Sequence, residues 1–277
     1  MTKRYGLLGL VLAMVLAGAA QAAQLKPRFA DLAYGPDGKQ TLDVYVPAGT
    51  RNAPVLVMVH GGGWRIGDKN NRGVVGAKGA YWLAKGFLFV SVNYRLLPDA
   101  DVSAQAGDVA SALAYVEAHA AAWGADPAKM VVMGHSAGAH LVALLSADPR
   151  LAAAKGAKPW AGTVVLDSAA LNVEAVMDRK HYALYDDAFG SNRDTWRALS
   201  PIVQLTAAAP PMLLVCSSVR ADKPCVEAHA FAEKAHGLGL RAEVSEQALS
   251  HRNINVTLGE PSAYTNTVDG FIASVLN

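Results

Sequence analysis

Runs of apolar, β-forming residues alternate with helical segments along most of this chain of 277 residues. The strand-like runs are short and continuously apolar, which is typical of strands buried on both faces of a parallel sheet. The sequence predicts strands at residues 42–46, 55–60, 87–93, 130–134, 163–167, 212–217 and 241–246. It predicts helices at residues 102–123, 137–146, 225–236 and 263–276. We therefore predict an α/β fold with a mostly parallel central sheet, helices on both faces, and a ligand crevice beyond the carboxyl ends of the strands.

One segment, residues 172–209, interrupts this alternation and carries four aromatic residues, Tyr182, Tyr185, Phe189 and Trp196. Two compatible interpretations remain open for it. It forms a helical excursion that packs on its own aromatic side chains, or it forms a small lid whose aromatic side chains line a substrate pocket. We expect residues 23–277 to form one domain that includes this segment, because single α/β domains of about 200–250 residues are common.

Residues 1–22 are expected to be a secretory signal peptide. Lys3 and Arg4 precede an apolar run at residues 6–17, and small residues ending in Ala20-Gln21-Ala22 follow it. This is the three-part layout of a cleavable signal, and the apolar run is short for a membrane span, although an uncleaved anchor is the alternative. The sequence therefore predicts a periplasmic or secreted protein.

The charge balance indicates neither nucleic acid nor a membrane as a partner once the signal is removed. Loss of two bases from 25, and of no acids, leaves 23 residues of each sign. A neutral surface with dispersed bases has no electrostatic footprint for a polyanion or for anionic lipid. We expect a small-molecule substrate, and the sequence does not indicate an oligomeric state.

The segment Gly134-His135-Ser136-Ala137-Gly138 joins a predicted strand to a predicted helix. In this context a G-x-S-x-G pattern predicts a tight turn that presents a nucleophilic serine at the positive end of the helix. Side chains two residues before and two residues after the serine would collide with backbone, which explains the two glycines. The alternative is a glycine-rich turn with no chemistry.

The segment His60-Gly61-Gly62-Gly63-Trp64 follows an earlier predicted strand. Three glycines in a row let the backbone approach a substrate oxygen and present its N–H groups. The predicted oxyanion donors are therefore the N–H groups of Gly62, Gly63 and Ala137. A phosphate-binding loop is the alternative, but the Lys-Ser/Thr ending of such loops is missing here.

We expect His60 itself to hold this loop by hydrogen bonds. Trp64 either forms a wall of the acyl pocket or packs in the core.

A nucleophilic serine needs a base and an acid, and eight histidines are candidates for the base: His60, His119, His135, His140, His181, His229, His236 and His251. His251 follows the last predicted strand by a short loop, which fits the chain order serine, acid, histidine, and His181 is the alternative. Asp222 lies five residues past the strand at 212–217 and 29 residues before His251. We predict Asp222 as the acid that orients the imidazole, with Asp167 at the end of an earlier strand as the alternative.

Cys216 and Cys225 lie on either side of Asp222. Because export implies an oxidising compartment, we predict that they form a disulfide that closes a short loop around this aspartate. The alternative is two buried free thiols. The spacing of cysteines and histidines indicates no metal site, and no cofactor is expected.

Together these segments resemble the α/β-hydrolase fold. With Asn93-Tyr94-Arg95-Leu96 and Ser250-His251, they are most similar to hormone-sensitive-lipase-like esterases and to the related feruloyl-esterase-like and formylkynurenine-formamidase-like enzymes. The resemblance covers residues 41–271 and implies Ser136 as nucleophile, His251 as base and Asp222 as acid. We expect residues 172–209 to replace the N-terminal cap of the first group, because about 20 residues of mature chain precede Thr41.

These observations predict an exported serine carboxylesterase for short-acyl or aromatic esters. An arylformamidase or other amide-type hydrolase would use the same residues, and comparison of esters with anilides separates the two. A binding domain without catalysis on a hydrolase scaffold is the third hypothesis.

Overall fold

A computed structural model describes residues 25–277 of the chain, and the predicted signal peptide at residues 1–22 lies outside them. The described residues form one sheet of eight strands. The strands are β1 (Phe29–Ala33), β2 (Thr41–Tyr45), β3 (Ala53–Val59), β4 (Leu88–Val92), β5 (Ala125–His135), β6 (Gly162–Leu166), β7 (Met212–Ser217) and β8 (Ala242–Gln247).

The spatial order of the strands is β1-β2-β4-β3-β5-β6-β7-β8. Strand β2 runs antiparallel to β1 and to β4, whereas every pairing among β3 to β8 is parallel. The predicted mostly parallel sheet is therefore confirmed. Because β3, β5, β6, β7 and β8 share a direction, the loops that follow them meet along one edge of the sheet.

Helices cover both faces of this sheet. They are α1 (Arg72–Ala84), α2 (Val102–His119), α3 (Ala137–Ala147), α4 (Pro149–Ala153), α5 (Val173–Met177), α6 (Ala183–Phe189), α7 (Arg193–Ala198), α8 (Pro201–Gln204), α9 (Pro224–Gly237), α10 (His251–Val256) and α11 (Ala263–Leu276). Not one of these helices, within residues 25–277, combines the length and the apolar character that a membrane crossing requires.

Alternate residues of the buried strands supply two separate apolar layers. Val57 of β3 packs in the layer that contains α2 and α3, whereas its neighbours Leu56 and Met58 pack in the layer that contains α1 and α11. This alternation follows from the two-residue period of a strand, and it explains why the strands read as continuous apolar runs.

Residues 172–209 form the four short helices α5 to α8. Val173, Val176, Phe189 and Trp196 of this segment belong to the same buried apolar cluster as α2 and α3. Tyr182, in contrast, is an exposed large side chain. The segment thus packs into the body of the fold through one set of side chains and leaves another set at the surface.

Candidate active site

Ser136 lies in the turn between β5 and α3, at the carboxyl edge of the sheet. Its φ of 56° and ψ of −118° place a residue with a side chain in a region that normally favours glycine. A Cβ atom on Gly134 would lie 2.3 Å from the Gly138 carbonyl oxygen, and a Cβ on Gly138 would lie 2.3 Å from that of Val59. The predicted steric reason for both glycines is therefore confirmed.

The glycine loop after β3 packs directly against this turn. A Cβ atom on Gly61 would lie 2.8 Å from the Cβ of Ser136, so the backbone approaches the serine more closely than a side chain would permit. Gly62, Gly63 and Trp64 all have positive φ, at 126°, 58° and 59°. The loop is thus a tight turn whose backbone, rather than its side chains, faces the serine.

Of the three predicted oxyanion donors, Gly63 and Ala137 line the same crevice as Ser136. Gly62 precedes Gly63 in the turn, and its carbonyl oxygen accepts hydrogen bonds from the N–H groups of Arg65 and Ile66. The structure therefore brings Gly63 and Ala137 to the serine and uses Gly62 to close the turn.

His60 supports the loop, as predicted. Its Nδ1 lies 2.8 Å from the Gly61 carbonyl oxygen, and its ring stacks on Tyr94 with a centroid distance of 4.5 Å. The Tyr94 hydroxyl in turn donates a hydrogen bond to the His60 carbonyl oxygen. Burial lowers the pKa of His60, so the ring is a neutral hydrogen-bonding group inside the fold.

Trp64 has both of the roles left open by the sequence. Its ring packs against His140, Tyr185 and Phe189, with centroid distances from 4.9 to 5.9 Å. The same residue lines the crevice beside Ser136. Trp64 therefore connects the glycine loop to helix α6 of the 172–209 segment.

His251 is the first residue of α10 and lines the crevice that contains Ser136. Its Nδ1 lies 2.6 Å from Oδ2 of Asp167, the residue that directly follows β6. The second oxygen of Asp167, Oδ1, accepts a hydrogen bond of 2.8 Å from the Ser217 N–H. The aspartate is buried and held from two sides, as is required of a group that orients an imidazole.

The prediction that Asp222 contacts His251 is wrong. The Asp222 carboxylate instead accepts both arms of the Arg220 guanidinium, with Nε 2.9 Å from Oδ1 and Nη2 bonded to Oδ2. Arg220 lies between this aspartate and His251, because its Nη1 lies 3.0 Å from Nδ1 of His251 and also 2.9 Å from Asp167 Oδ2. Asp167, the alternative acid, occupies the position that was expected for Asp222.

The sequence contains a signal that favours Asp167. It follows the last residue of β6 immediately, whereas Asp222 lies five residues beyond β7. Asp222 also has a basic residue, Arg220, two positions before it, which is a ready partner for its charge.

Opposing effects set the protonation of the acid. Burial alone would raise the pKa of Asp167, but the hydrogen bond from His251, the charge of Arg220 and the Ser217 N–H outweigh it, so the pKa lies below its ordinary value. Burial alone would lower the pKa of Arg220, whereas its bonds to Asp222 and Asp167 raise it. The pair is therefore ionised in the neutral pH range.

His135, next to the serine, supports the base from behind. Its Nε2 lies 3.0 Å from the His251 carbonyl oxygen, and the two rings are 4.5 Å apart. Burial, and then the charge of His251, lower the pKa of His135 to about 3. A neutral His135 can therefore donate this hydrogen bond and fix the backbone of the base.

The alternative base, His181, lies between α5 and α6. Its Nδ1 contacts the Arg179 carbonyl oxygen, and its Nε2 lies 3.1 Å from Asp186 Oδ1. It lines a neighbouring groove rather than the crevice of Ser136.

Cys216 and Cys225 form the predicted disulfide. Cys216 lies in β7 and Cys225 in the first turn of α9, so the bridge ties the strand to the helix across the loop that carries Arg220 and Asp222. The described residues contain no free cysteine.

The crevice above Ser136 has a volume of about 340 Å³. Its walls come from the glycine loop, the loops after β6 and β7, and the segment before and within α6, which contributes Tyr182, Leu184 and Tyr185. Burial raises the pKa of Tyr185 to about 12, so its hydroxyl stays protonated. Among residues 25–277, no group of three or more His, Cys, Asp or Glu side chains could hold a metal ion.

The strand order, the serine turn after β5 and the histidine after β8 define the α/β-hydrolase fold. More particularly, the chain belongs to the BD-FAE family, whose model matches residues 42–234. Solved structures agree on the fold: Thermogutta terrifontis esterase 2 phosphonylated by sarin superposes with a TM-score of 0.73 over 90% of this chain and 96% of that one, at 23% identity.

Two curated relatives come from Mycobacterium tuberculosis. Esterase LipQ is 32% identical over 229 residues, which cover 76% of this chain and 53% of LipQ. Carboxylesterase NlhH is 29% identical over 270 residues, which cover 89% of this chain and 82% of NlhH. The chain thus spans about half the length of LipQ and most of the length of NlhH.

Proposed function

We propose that this protein is a serine carboxylesterase that cleaves its substrate through an acyl-enzyme on Ser136. The observation that carries the proposal is the contact of 2.6 Å between His251 and the buried Asp167, in the same crevice as the strained Ser136. A catalytic triad consists of a serine, a histidine and a buried carboxylate, here at one edge of the sheet with the serine at the start of a helix. The histidine and the carboxylate together activate the serine hydroxyl.

In this mechanism His251 takes the proton of the Ser136 hydroxyl as the oxygen attacks the ester carbonyl. Asp167 holds the Nδ1–H of the imidazole, so that Nε2 is the free base, and stabilises the imidazolium that forms. The alcohol leaves with the proton from His251. A water molecule then attacks the acyl-enzyme by the same route, which releases the acid and restores Ser136.

The oxyanion of each tetrahedral intermediate is stabilised by backbone N–H groups. Ala137 begins α3, where the helix dipole adds to its donor strength, and Gly63 lines the same crevice. The backbone N–H of Gly62 is the third donor that we propose for the oxyanion. One well-placed donor of this kind contributes about 3–4 kcal/mol to stabilisation of the transition state.

The substrate is proposed to be a small ester with a short acyl or an aromatic group. A volume of about 340 Å³ suits a small ligand, and Trp64, Tyr182 and Tyr185 supply aromatic walls. The two relatives carry the names esterase and carboxylesterase, which supports an ester as the scissile bond. Tyr182 and Leu184 lie at the surface of the 172–209 segment, so we propose that this segment acts as a small lid.

Export is proposed from the signal-like N-terminus. A disulfide between Cys216 and Cys225 supports it, because such bonds persist in oxidising compartments.

The test is hydrolysis of p-nitrophenyl esters from acetate to palmitate, with Ser136→Ala as the paired variant. We expect the highest turnover with short chains and a loss on the order of 10⁶-fold in kcat for the variant. Ester hydrolysis that survives in Ser136→Ala would refute the assignment. Turnover of N-formyl anilides in preference to esters would favour the amide-type reaction instead.

A further inference from the structure

Arg220 contacts both aspartates near the base, Asp167 and Asp222, as well as His251 itself, and the proposed mechanism assigns it no part. Its Nη1 lies 2.9 Å from Asp167 Oδ2, 3.2 Å from the Asp167 carbonyl oxygen and 3.0 Å from Nδ1 of His251. Its Nε and Nη2 bind the Asp222 carboxylate in a two-pronged contact. The side chain is 18% exposed, so these contacts are shielded from bulk water.

The contact between Arg220 and His251 is not a hydrogen bond in the active form. The Nδ1 atom of His251 carries the hydrogen that it donates to Asp167, and a guanidinium has no acceptor to offer. What Arg220 brings to the ring is a positive charge. That charge opposes protonation of the imidazole, whereas Asp167 favours it.

Asp222 determines how strongly this charge acts. Its carboxylate neutralises Arg220 from the side away from His251, and the disulfide between Cys216 and Cys225 closes the loop that carries both residues. Bidentate geometry also fixes the guanidinium plane, which leaves Nη1 aimed at Asp167. The two-residue spacing makes Arg220 and Asp222 a single unit of the loop.

We infer that Arg220 is a positioning residue that holds Asp167 against His251 and places a positive charge beside the imidazole, and that Asp222 moderates the effect of this charge. The inference rests on the proposed function, because it assigns a role within the same site. Arg220 does not touch the reacting atoms. Its action is transmitted through Asp167 and through its charge.

Several charged or titratable groups approach His251 or the helix that it begins. They are Asp167 after β6, Arg220 and Asp222 after β7, His135 at the end of β5, Lys78 in α1 and Tyr264 in α11. Burial holds His135 neutral and Tyr264 protonated, so neither changes its charge in the neutral range. Lys78 donates a hydrogen bond to Asn255 in α10, the helix that His251 begins, and Lys78 is unchanged in the variants below.

The experiment measures kcat/KM for p-nitrophenyl acetate from about pH 4.5 to about pH 9. The variants are Arg220→Gln, Arg220→Lys and Asp222→Asn. Arg150→Gln is the matched control, because Arg150 forms the same two-pronged contact with an aspartate two residues away, Asp148, and does not line the crevice. Ser136→Ala reports separately on the proposed function.

We expect Arg220→Gln to move the midpoint of the acid limb upward by about 1 pH unit and to lower the plateau by about 10- to 100-fold. Arg220→Lys keeps the positive charge but not the two-pronged contact with Asp222. Its midpoint should therefore lie close to that of the parent protein, whereas its plateau should remain lower. Asp222→Asn exposes the charge of Arg220 and moves the midpoint in the opposite direction. A structural role alone would lower the plateau without these opposite displacements.

If Ser136→Ala is inactive and the acid limb stays in place in both Arg220→Gln and Asp222→Asn, the inference about Arg220 is overturned while the proposed function stands. If Ser136→Ala stays active, the proposed function itself fails. Where Arg220→Gln does not fold, Asp222→Asn decides alone: a downward displacement of the midpoint supports the inference, and an unchanged or raised midpoint overturns it.

Discussion

Nδ1 of His251 and Oδ2 of Asp167 lie 2.6 Å apart, although 84 residues separate them in the sequence. The contact forms because β6 ends at the same edge of the sheet at which the chain turns from β8 into α10. His251 is also fixed through its carbonyl oxygen, which contacts His135, and through its helix, because Lys78 bonds to Asn255. The base is therefore held in place by three separate elements of the fold.

The first prediction separates the two candidate acids. Asp167→Asn should lower kcat by about 10⁴-fold, because an amide at this position favours the wrong imidazole tautomer. Asp222→Asn leaves the His251–Asp167 contact in place and should lower kcat by less than about 10-fold. Steady-state kinetics with p-nitrophenyl acetate at neutral pH measures both. The opposite ranking would restore Asp222 as the acid.

The identity of the acid shows where sequence reasoning reached its limit. The sequence offers both aspartates as candidates, because Asp167 ends one strand of the predicted parallel sheet and Asp222 follows another. The choice between them depends on which loop reaches His251, and this is a property of the tertiary structure. The Arg220–Asp222 contact, which turns Asp222 away from the base, has no signature in apolar periodicity.

The central strands were predicted well because burial on both faces leaves a continuous apolar run. Strand β1 was missed, since its residues Phe29–Ala33 lie at the sheet edge and are only partly buried. Helix α1 was also missed, because Gly73, Gly76 and Gly79 weaken its helical signal. Two of these glycines allow close packing: a Cβ on Gly73 would lie 3.2 Å from Val256, and one on Gly79 would lie 2.9 Å from Leu25.

The second prediction concerns the turn that carries the nucleophile. Gly138→Ala would place a Cβ 2.3 Å from the Val59 carbonyl oxygen and 2.4 Å from that of His60, where only backbone could move. We expect loss of esterase activity and a fall of several degrees in Tm. Gly270→Ala in α11 is the control, because nothing lies within 4 Å of its added Cβ. The control should gain up to about 1 kcal/mol in the free energy of unfolding. Equal effects of the two substitutions would contradict the steric argument.

The third prediction concerns the disulfide. Replacement of both Cys216 and Cys225 by alanine should lower the free energy of unfolding by about 2.7 kcal/mol, the chain-entropy value for the loop that they close. The comparison is urea unfolding of the variant and of the oxidised parent protein. Addition of a reductant should destabilise the parent and leave the variant unchanged. If the reductant leaves the free energy of unfolding of the parent protein unchanged, the disulfide does not form.

The fourth prediction concerns His140, which is fully buried beneath Trp64 and Phe189. Its Nε2 donates to the Leu199 carbonyl oxygen at 2.8 Å, and burial lowers its pKa from 6.5 to about 4. The unfolded chain therefore binds a proton in this range that the folded chain does not. The contribution of His140 to stability is complete above pH 6.5 and is lost as the pH falls towards 4.

His140→Gln retains a donor for Leu199 but removes this titration. We expect the free energy of unfolding, from urea titrations at neutral pH and at about pH 4.5, to fall less on acidification in the variant than in the parent protein. The difference cannot exceed about 1.4 kcal/mol for each pH unit, the limit for one proton. The exposed His229, replaced in the same way, should leave the parent's acid dependence intact. If His140→Gln loses as much stability as the parent on acidification, His140 is not the buried neutral group that its surroundings indicate.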